Sequence, residues 1–317
     1  MKVVVGSAIS DEHLHDLRAS FPDVTFRPAS TEEAQKREIA DADVFFGRPT
    51  REVFLAADRL RWVQWMGTGI DEISSVSELI DSDVVLTNMP GAHAAAMADH
   101  ALGMIVALAH RGRELWEDQR QRRWDTAKYD GRMVELSGST MGILALGDIG
   151  RAVARRADAF GMEVYAVDIR PTHRPPEVKE VWGEDRLDDL LGISDWFVVT
   201  VPLTSKSRGM LDRRRLGLLK PGGYLIVMSR GGIVDEGALL EGLRAGRIAG
   251  AGLDVFDQEP LPPENPFWDM TNVVISPHIS ALTPEMWEGR RQIFKENLKR
   301  FLANEPFLYV CDKREGF

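Results

Sequence analysis

Short apolar runs alternate with polar, helix-prone stretches along the first third of the chain. Residues 2–5, 24–26, 44–46, 62–65 and 84–87 form the runs, and the first reads as a strand buried in a parallel sheet. Between them, residues 11–20 carry Leu14 and Leu17 at helical spacing, and residues 31–40 and 51–57 are polar and helix-prone. Alternation at this spacing predicts a small α/β layer of roughly a hundred residues.

Pro90-Gly91 interrupts the pattern. Beyond it, residues 94–115 are rich in alanine, leucine and methionine and read as one long helix, where the chain crosses into a second domain. Residues 112–138 are charged yet carry Trp116 and Trp124, either a local packing arm or a subunit contact. Five apolar or small residues from Met141 then enter a glycine-rich turn. A helical pattern follows with Val153, Ala157 and Phe160 on one side and Gly161 as its stop. Further strands are expected at 162–167, 196–201, 224–228, 251–255 and 273–276, with helices at 213–219 and 237–245 behind Asp212 and Asp235 as N-caps. A last helix over 284–303, with Ile293, Leu298, Phe301 and Leu302 as its apolar side, is expected to return to the first domain.

The turn after Met141 carries the first chemistry. Ala145-Leu146-Gly147-Asp148-Ile149-Gly150 is an A-x-G-x-x-G variant of the dinucleotide fingerprint, and Asp168 ends the next strand about twenty positions on. Gly147 would let the main chain approach a pyrophosphate, Gly150 would let helix and strand pack closely, and the amides at Asp148 and Ile149 would face the phosphates. Asp168 would accept hydrogen bonds from the adenosine ribose. Ala145 stands where the fingerprint has its first glycine, which bears on how closely the cofactor approaches.

Composition narrows the class. A formal charge of −10 over 317 residues argues against general nucleic-acid or anionic-membrane binding. The basic runs Arg120–Arg123 and Arg213–Arg215 read as solvated helix faces. One cysteine, Cys311, permits neither a disulfide framework nor a cysteine metal site, and a cytoplasmic protein is expected. The first residues turn polar too soon for a secretory signal, and the apolar run 101–109 is too short to span a bilayer. No metal-ligand motif, nucleophile elbow or Walker loop is present.

In an open parallel sheet, ligands bind beyond the carboxyl ends of the strands. Arg230, Asp254, Glu259 and His278 all fall there. An imidazole paired with a carboxylate suits proton donation to the oxygen of a carbonyl receiving hydride, and an arginine fork suits a carboxylate or polarised carbonyl. Taken singly, Arg230 reads equally as an ion-pair partner, Glu259 as an exposed turn and His278 as an ordinary histidine. Their joint placement tips the reading.

The chain resembles the D-isomer-specific 2-hydroxyacid dehydrogenases over nearly its full length. Matching stretches are Gly67-Thr68-Gly69-Ile70-Asp71, Asn88-Met89-Pro90-Gly91, Ala98-Asp99-His100 and the glycine turn through Asp168. Further on come Val201-Pro202-Leu203-Thr204, Ser229 through Glu236, Gly252 through Phe256, Glu259-Pro260-Leu261 and Ser276-Pro277-His278. The resemblance implies a Rossmann-type, doubly wound parallel-sheet cofactor domain (93–280) and a smaller flavodoxin-like α/β substrate domain (1–92 and 281–317). It implies that Arg230, Glu259 and His278 are catalytic, and that Pro202, Met228, Ser229 and Asp254 adjoin the cofactor. It further implies that Thr68, Gly69 and Arg48 contact a small 2-oxo or D-2-hydroxy acid, in a homodimer formed through the cofactor domain. Thr200 departs from the histidine many members carry there. Arg170, His173 and Arg174 could attract a 2′-phosphate, but Asp168 would repel it, so NAD is expected and NADP stays open. The alternatives are a phosphite- or formate-type oxyanion dehydrogenase, or a non-enzymatic NADH-responsive binding protein.

Overall fold

The computed structural model describes every residue except Ala8, Thr172, His173 and Phe317. In chain order, β1 (Lys2–Val5), α1 (Asp11–Ser20), β2 (Thr25–Pro28), α2 (Glu32–Ile39), β3 (Val44–Phe46), α3 (Arg51–Leu55), β4 (Trp62–Gln64), α4 (Ser77–Asp81) and β5 (Val85–Thr87) come first. Next are α5 (Ala94–Ala109), α6 (Gly112–Arg120), β6 (Thr140–Leu144), α7 (Asp148–Ala159), β7 (Glu163–Val167), β8 (Val178–Trp182), α8 (Leu187–Ile193) and β9 (Trp196–Val199). The chain ends with α9 (Arg213–Leu216), β10 (Gly223–Val227), α10 (Glu236–Arg244), β11 (Ile248–Leu253), β12 (Val273–Ile275) and α11 (Pro284–Ala303). No helix among the described residues is long and apolar enough to cross a membrane.

The chain forms two units, Met1–His93 with Thr283–Phe317, and Ala94–Leu282. The first unit holds a parallel sheet of order β2-β1-β3-β4-β5, the flavodoxin-like arrangement. Its inner strands β1, β3 and β4 are short and mostly apolar because both faces are covered, while edge strand β2 buries only Phe26. Ser10, Thr31 and Thr50 each accept an N–H from the first turn of α1, α2 and α3, which explains why those polar stretches start where they do. Helix α11 completes this unit. Phe294 stacks on Phe46 with centroids 4.2 Å apart, and Leu298 is fully buried in the same cluster as Val3, Val5 and Trp62. Burying two such side chains stabilises the arrangement by roughly 3–6 kcal/mol. Leu302, expected on the apolar side of α11, is exposed, while Asn297 is buried and donates to Gln64 Oε1 at 3.0 Å.

The second unit holds a seven-stranded parallel sheet of order β12-β11-β10-β9-β6-β7-β8, the doubly wound topology with its switch point between β6 and β9. Helices α5 and α7 and strands β6, β9 and β10 share one apolar cluster. Several features differ from the sequence reading. The expected long helix breaks, because Arg111 adopts φ +57° and α6 starts afresh at Gly112. An additional edge strand, β8, pairs with β7, and α8 follows it. The charged segment after α6 is fastened by Asp118, whose carboxylate accepts from Lys128 at 2.8 Å, Tyr129 at 2.6 Å and Arg123 at 2.6 Å. Lys128 foremost holds that carboxyl far below the ordinary range. Trp116 and Trp124 take no part in this packing, being 57% and 97% exposed. Phe160, expected on the buried side of α7, caps its end and is exposed.

Candidate active site

Every candidate residue of the second unit lies at or just beyond the carboxyl end of a strand in one parallel sheet. Beyond β6, Ala145 adopts φ +76°, a left-handed conformation that costs an L-residue about 1–2 kcal/mol. Two neighbours hold it. Its N–H donates to the Val167 carbonyl at 2.8 Å, and its carbonyl accepts the Thr200 hydroxyl at 2.8 Å. That hydroxyl is shared with the Leu144 carbonyl at 3.0 Å. Thr200 therefore clamps the turn that Ala145 strains, which gives both departures from the family pattern a joint structural sense.

Gly147 is the N-cap of α7, and a Cβ built there would meet nothing within 4 Å. Gly150 is needed for close packing, since its Cβ would fall 2.3 Å from the Ala145 carbonyl oxygen. The first turn of α7, with Asp148 and Ile149, thus presents its amides beside open space. At the end of β7, Asp168 accepts the Leu146 N–H at 2.7 Å and the Arg170 N–H at 2.8 Å. Each carboxylate oxygen retains a further acceptor position. Ser229, after β10, has a buried hydroxyl with no hydrogen-bond partner among the described residues, and Met228 before it is buried. Open space at a helix N-terminus, a nearby carboxylate and an orphaned hydroxyl fit a dinucleotide. Pro202, beyond β9, is partly buried, and its carbonyl accepts the Ser207 hydroxyl at 2.6 Å. Arg174 donates to the Val178 carbonyl at 2.7 Å, so that guanidinium is engaged by its own chain. His173 lies outside the described residues.

The histidine–carboxylate pair sits beyond β11 and β12. His278 Nδ1 lies 2.8 Å from Glu259 Oε2, and both side chains are partly open to solvent. A carboxylate accepts only, so that bond places the proton on Nδ1 and leaves Nε2 as the position able to give or take one. Glu259 is itself fixed by the Phe256 N–H at 3.0 Å. His278 has φ +55°, and Asp254 secures the turn that carries it. The Asp254 carbonyl accepts the His278 N–H at 2.8 Å, while its carboxylate accepts the N–H groups of Ile279 at 3.0 Å and Ser280 at 3.1 Å, and the Ser276 hydroxyl. Asp254 is fully buried. Arg230, after β10, donates to the Ser229 carbonyl at 2.8 Å. Gly231 beside it must lack a side chain, because a Cβ would meet the Phe256 carbonyl oxygen at 2.1 Å.

Sequence reasoning missed His100. From α5 its Nε2 reaches the Ser276 hydroxyl at 2.8 Å, and it lies 3.9 Å from Asp254. The only signal was its place in the matched Ala98-Asp99-His100 stretch, since its partner is 176 residues away.

In the first unit, Arg48 donates to Glu72 at 2.6 Å and to the Met66 carbonyl at 3.2 Å, beside the Trp65 ring. The Thr68 hydroxyl is buried without a partner among the described residues. The Thr68 and Gly69 carbonyls are engaged by Asn88 at 2.6 Å and by the Trp65 indole at 3.0 Å.

Comparison with known proteins bears on this arrangement. The family profile described as D-isomer specific 2-hydroxyacid dehydrogenase, NAD binding domain, matches residues 102–280. The chain is 35% identical to the glyoxylate reductase of Thermococcus kodakarensis, over 96% of this chain and 94% of that protein. It is 34% identical to the D-3-phosphoglycerate dehydrogenase of Methanocaldococcus jannaschii, over 87% of this chain but 52% of that protein. The chain thus spans about half the length of that phosphoglycerate dehydrogenase. Among solved structures, it superposes with TM-score 0.87 on the NADPH-dependent glyoxylate/hydroxypyruvate reductase of Sinorhizobium meliloti in complex with NADP and sulfate. That match has 26% identity and covers 100% of this chain and 99% of the other.

Proposed function

The chain belongs to the D-isomer specific 2-hydroxyacid dehydrogenase family, and on that premise we propose that it interconverts a 2-oxo acid and its D-2-hydroxy acid using NAD(H). The observation that carries this reading is the His278–Glu259 pair, which leaves Nε2 as the proton-transferring atom at the end of a parallel sheet. The amides opening α7, with Gly147, would hold the pyrophosphate, and Asp168 the ribose. Bound reduced nicotinamide supplies the hydride. His278 Nε2 gives its proton to the oxygen of the reduced carbonyl, and Glu259 stabilises the charge the imidazole carries before that transfer. Arg230 neutralises and orients the substrate's carboxylate and carbonyl oxygens. We assign the unit containing Arg48, Thr68 and Gly69 as the substrate domain, with those residues receiving the substrate's carboxylate.

Asp168, and the engagement of Arg174 by its own backbone, favour NAD over NADP. Exposed Trp116 and Trp124 fit a homodimer contact through the cofactor domain. A cytoplasmic setting agrees with a single cysteine, Cys311, whose thiol burial pushes up to about 12. The test is initial-rate oxidation of NADH and NADPH with glyoxylate, pyruvate, hydroxypyruvate and bulkier 2-oxo acids. Turnover of at least one with NADH is expected. Silence across the panel, with cofactor binding intact, would move the reading to an oxyanion dehydrogenase or an NADH-responsive binding protein.

A further inference from the structure

The last helix carries a cation that no acid among the described residues neutralises. Arg290, on α11, donates through Nη2 to His93 Nε2 at 2.7 Å. His93 Nδ1 lies 2.8 Å from the Met89 carbonyl, which can only accept. Nδ1 therefore bears the hydrogen, and Nε2 meets Arg290 as a lone pair. The guanidinium is thus held by a neutral imidazole rather than by a carboxylate. Its Nε is buried and donates to nothing, and among the described residues no acid pairs with it. Burial first, and the nearby Arg48 second, pull its pKa down to about 10.

These groups face a hollow in the first unit whose walls include Phe46, Met66, Trp287 and Phe294. The Trp287 ring lies under the Arg290 guanidinium, 4.7 Å from its centroid. Other charges around the hollow are already matched: Asp16 by Lys295 at 3.0 Å, and Arg291 by Glu288. His13 also lines it. Met66 links the hollow to the loop before Thr68, because its carbonyl accepts from Arg48. The orphaned Thr68 hydroxyl lies two residues further on. Arg48 has Glu72 as its partner, whereas Arg290, with a buried Nε that donates to nothing and no acid paired with it among the described residues, makes a site whose missing component is negative.

We propose that Arg290 and the hollow beside it bind an anionic group, a carboxylate or phosphate, at the distal end of the substrate. The protein would then prefer 2-oxo acids carrying a second negative charge. This rests on the 2-oxo acid reading above and adds the substrate class to it. Arg290 reaches the ligand as a charge-assisted donor, so its contribution to discrimination should be about 10- to 100-fold.

The experiment compares kcat/KM, with NADH, for 2-oxoglutarate and 3-phosphohydroxypyruvate against 2-oxohexanoate and pyruvate. In the wild type the anionic acids should lead by about tenfold or more, and the better of the two identifies the distal group. In Arg290→Leu that ratio should collapse towards one, and Arg290→Lys, which keeps the charge, should retain part of it. A wild-type ratio of one or less, or a ratio unmoved by Arg290→Leu in a variant that melts normally, overturns the proposal while leaving the oxidoreductase reading in place. If no 2-oxo acid is reduced at all, that reading fails separately. The site is then tested by the melting temperature in succinate and inorganic phosphate: a rise lost in Arg290→Leu supports it, and no rise overturns it.

Discussion

The turn carrying His278 and the region around Arg290 handle polar groups in opposite ways. Around His278 the protein supplies every partner: Asp254 receives three backbone N–H groups and a hydroxyl, and Glu259 fixes the imidazole. Around Arg290 the guanidinium meets only a neutral imidazole, and its Nε is buried with no acceptor among the described residues. A group that must move a proton needs its orientation set before the substrate arrives, since misplacement lowers the rate directly. A group that only recognises charge can leave its partner positions for the ligand, at a cost in the stability of the unliganded protein.

The sharpest way to break this contrast is at His278. His278→Gln should lower kcat by about a hundred- to ten-thousandfold while NADH binding, followed by fluorescence quenching, stays within a factor of two or so. Loss of NADH binding instead would mean the turn builds the cofactor site. Asp254→Asn comes next. It replaces one acceptor oxygen in a buried carboxylate that takes three donors, and should destabilise the protein by about 1–3 kcal/mol in urea unfolding, with kcat falling alongside. Full stability in that variant would show that the turn does not depend on its anchor. Arg290→Met should change urea stability by less than about 1 kcal/mol despite deleting a half-buried charge, because the charge has little to lose. A loss as large as that of Asp254→Asn would abolish the distinction between the two regions. The smallest expected effect is at Ala145. Ala145→Gly relieves a left-handed alanine, and should gain about 1 kcal/mol or slightly less after the extra chain entropy of glycine. A destabilised variant would mean the Thr200 clamp already removes the strain.

Legibility in the sequence followed the range of the physics involved. The inner strands of both sheets announce themselves because burial on two faces leaves continuous apolar runs, and the α7 turn because glycine and aspartate spacing is local. Strand β8 escaped because Val178-Lys179-Glu180-Val181-Trp182 sits at the sheet edge and mixes charges into a short run. The break at Arg111 escaped because arginine carries no signal for a left-handed backbone. At the site, residues at strand ends were readable in order along the chain. His100 was not, since its tie to Ser276 is purely three-dimensional. Arg290 hid in a helix rich in lysine and arginine, where such a residue reads as solvated and only folding shows which way one of them points.

The return of α11 has a consequence for how the molecule is made. The sheet of the first unit is translated by Thr87, but the helix bearing Phe294 and Asn297 follows after the whole of Ala94–Leu282, roughly 190 residues later. At ordinary elongation rates that is a wait of about 10–40 s. Throughout it the nascent first unit shows the ribosome-side environment an uncovered face around Trp62 and Phe46, and an amide, Gln64, whose partner does not yet exist. The inserted unit is continuous and can fold as it emerges. The N-terminal sheet cannot be finished until last, so its exposed face is where a chaperone would find this chain during synthesis.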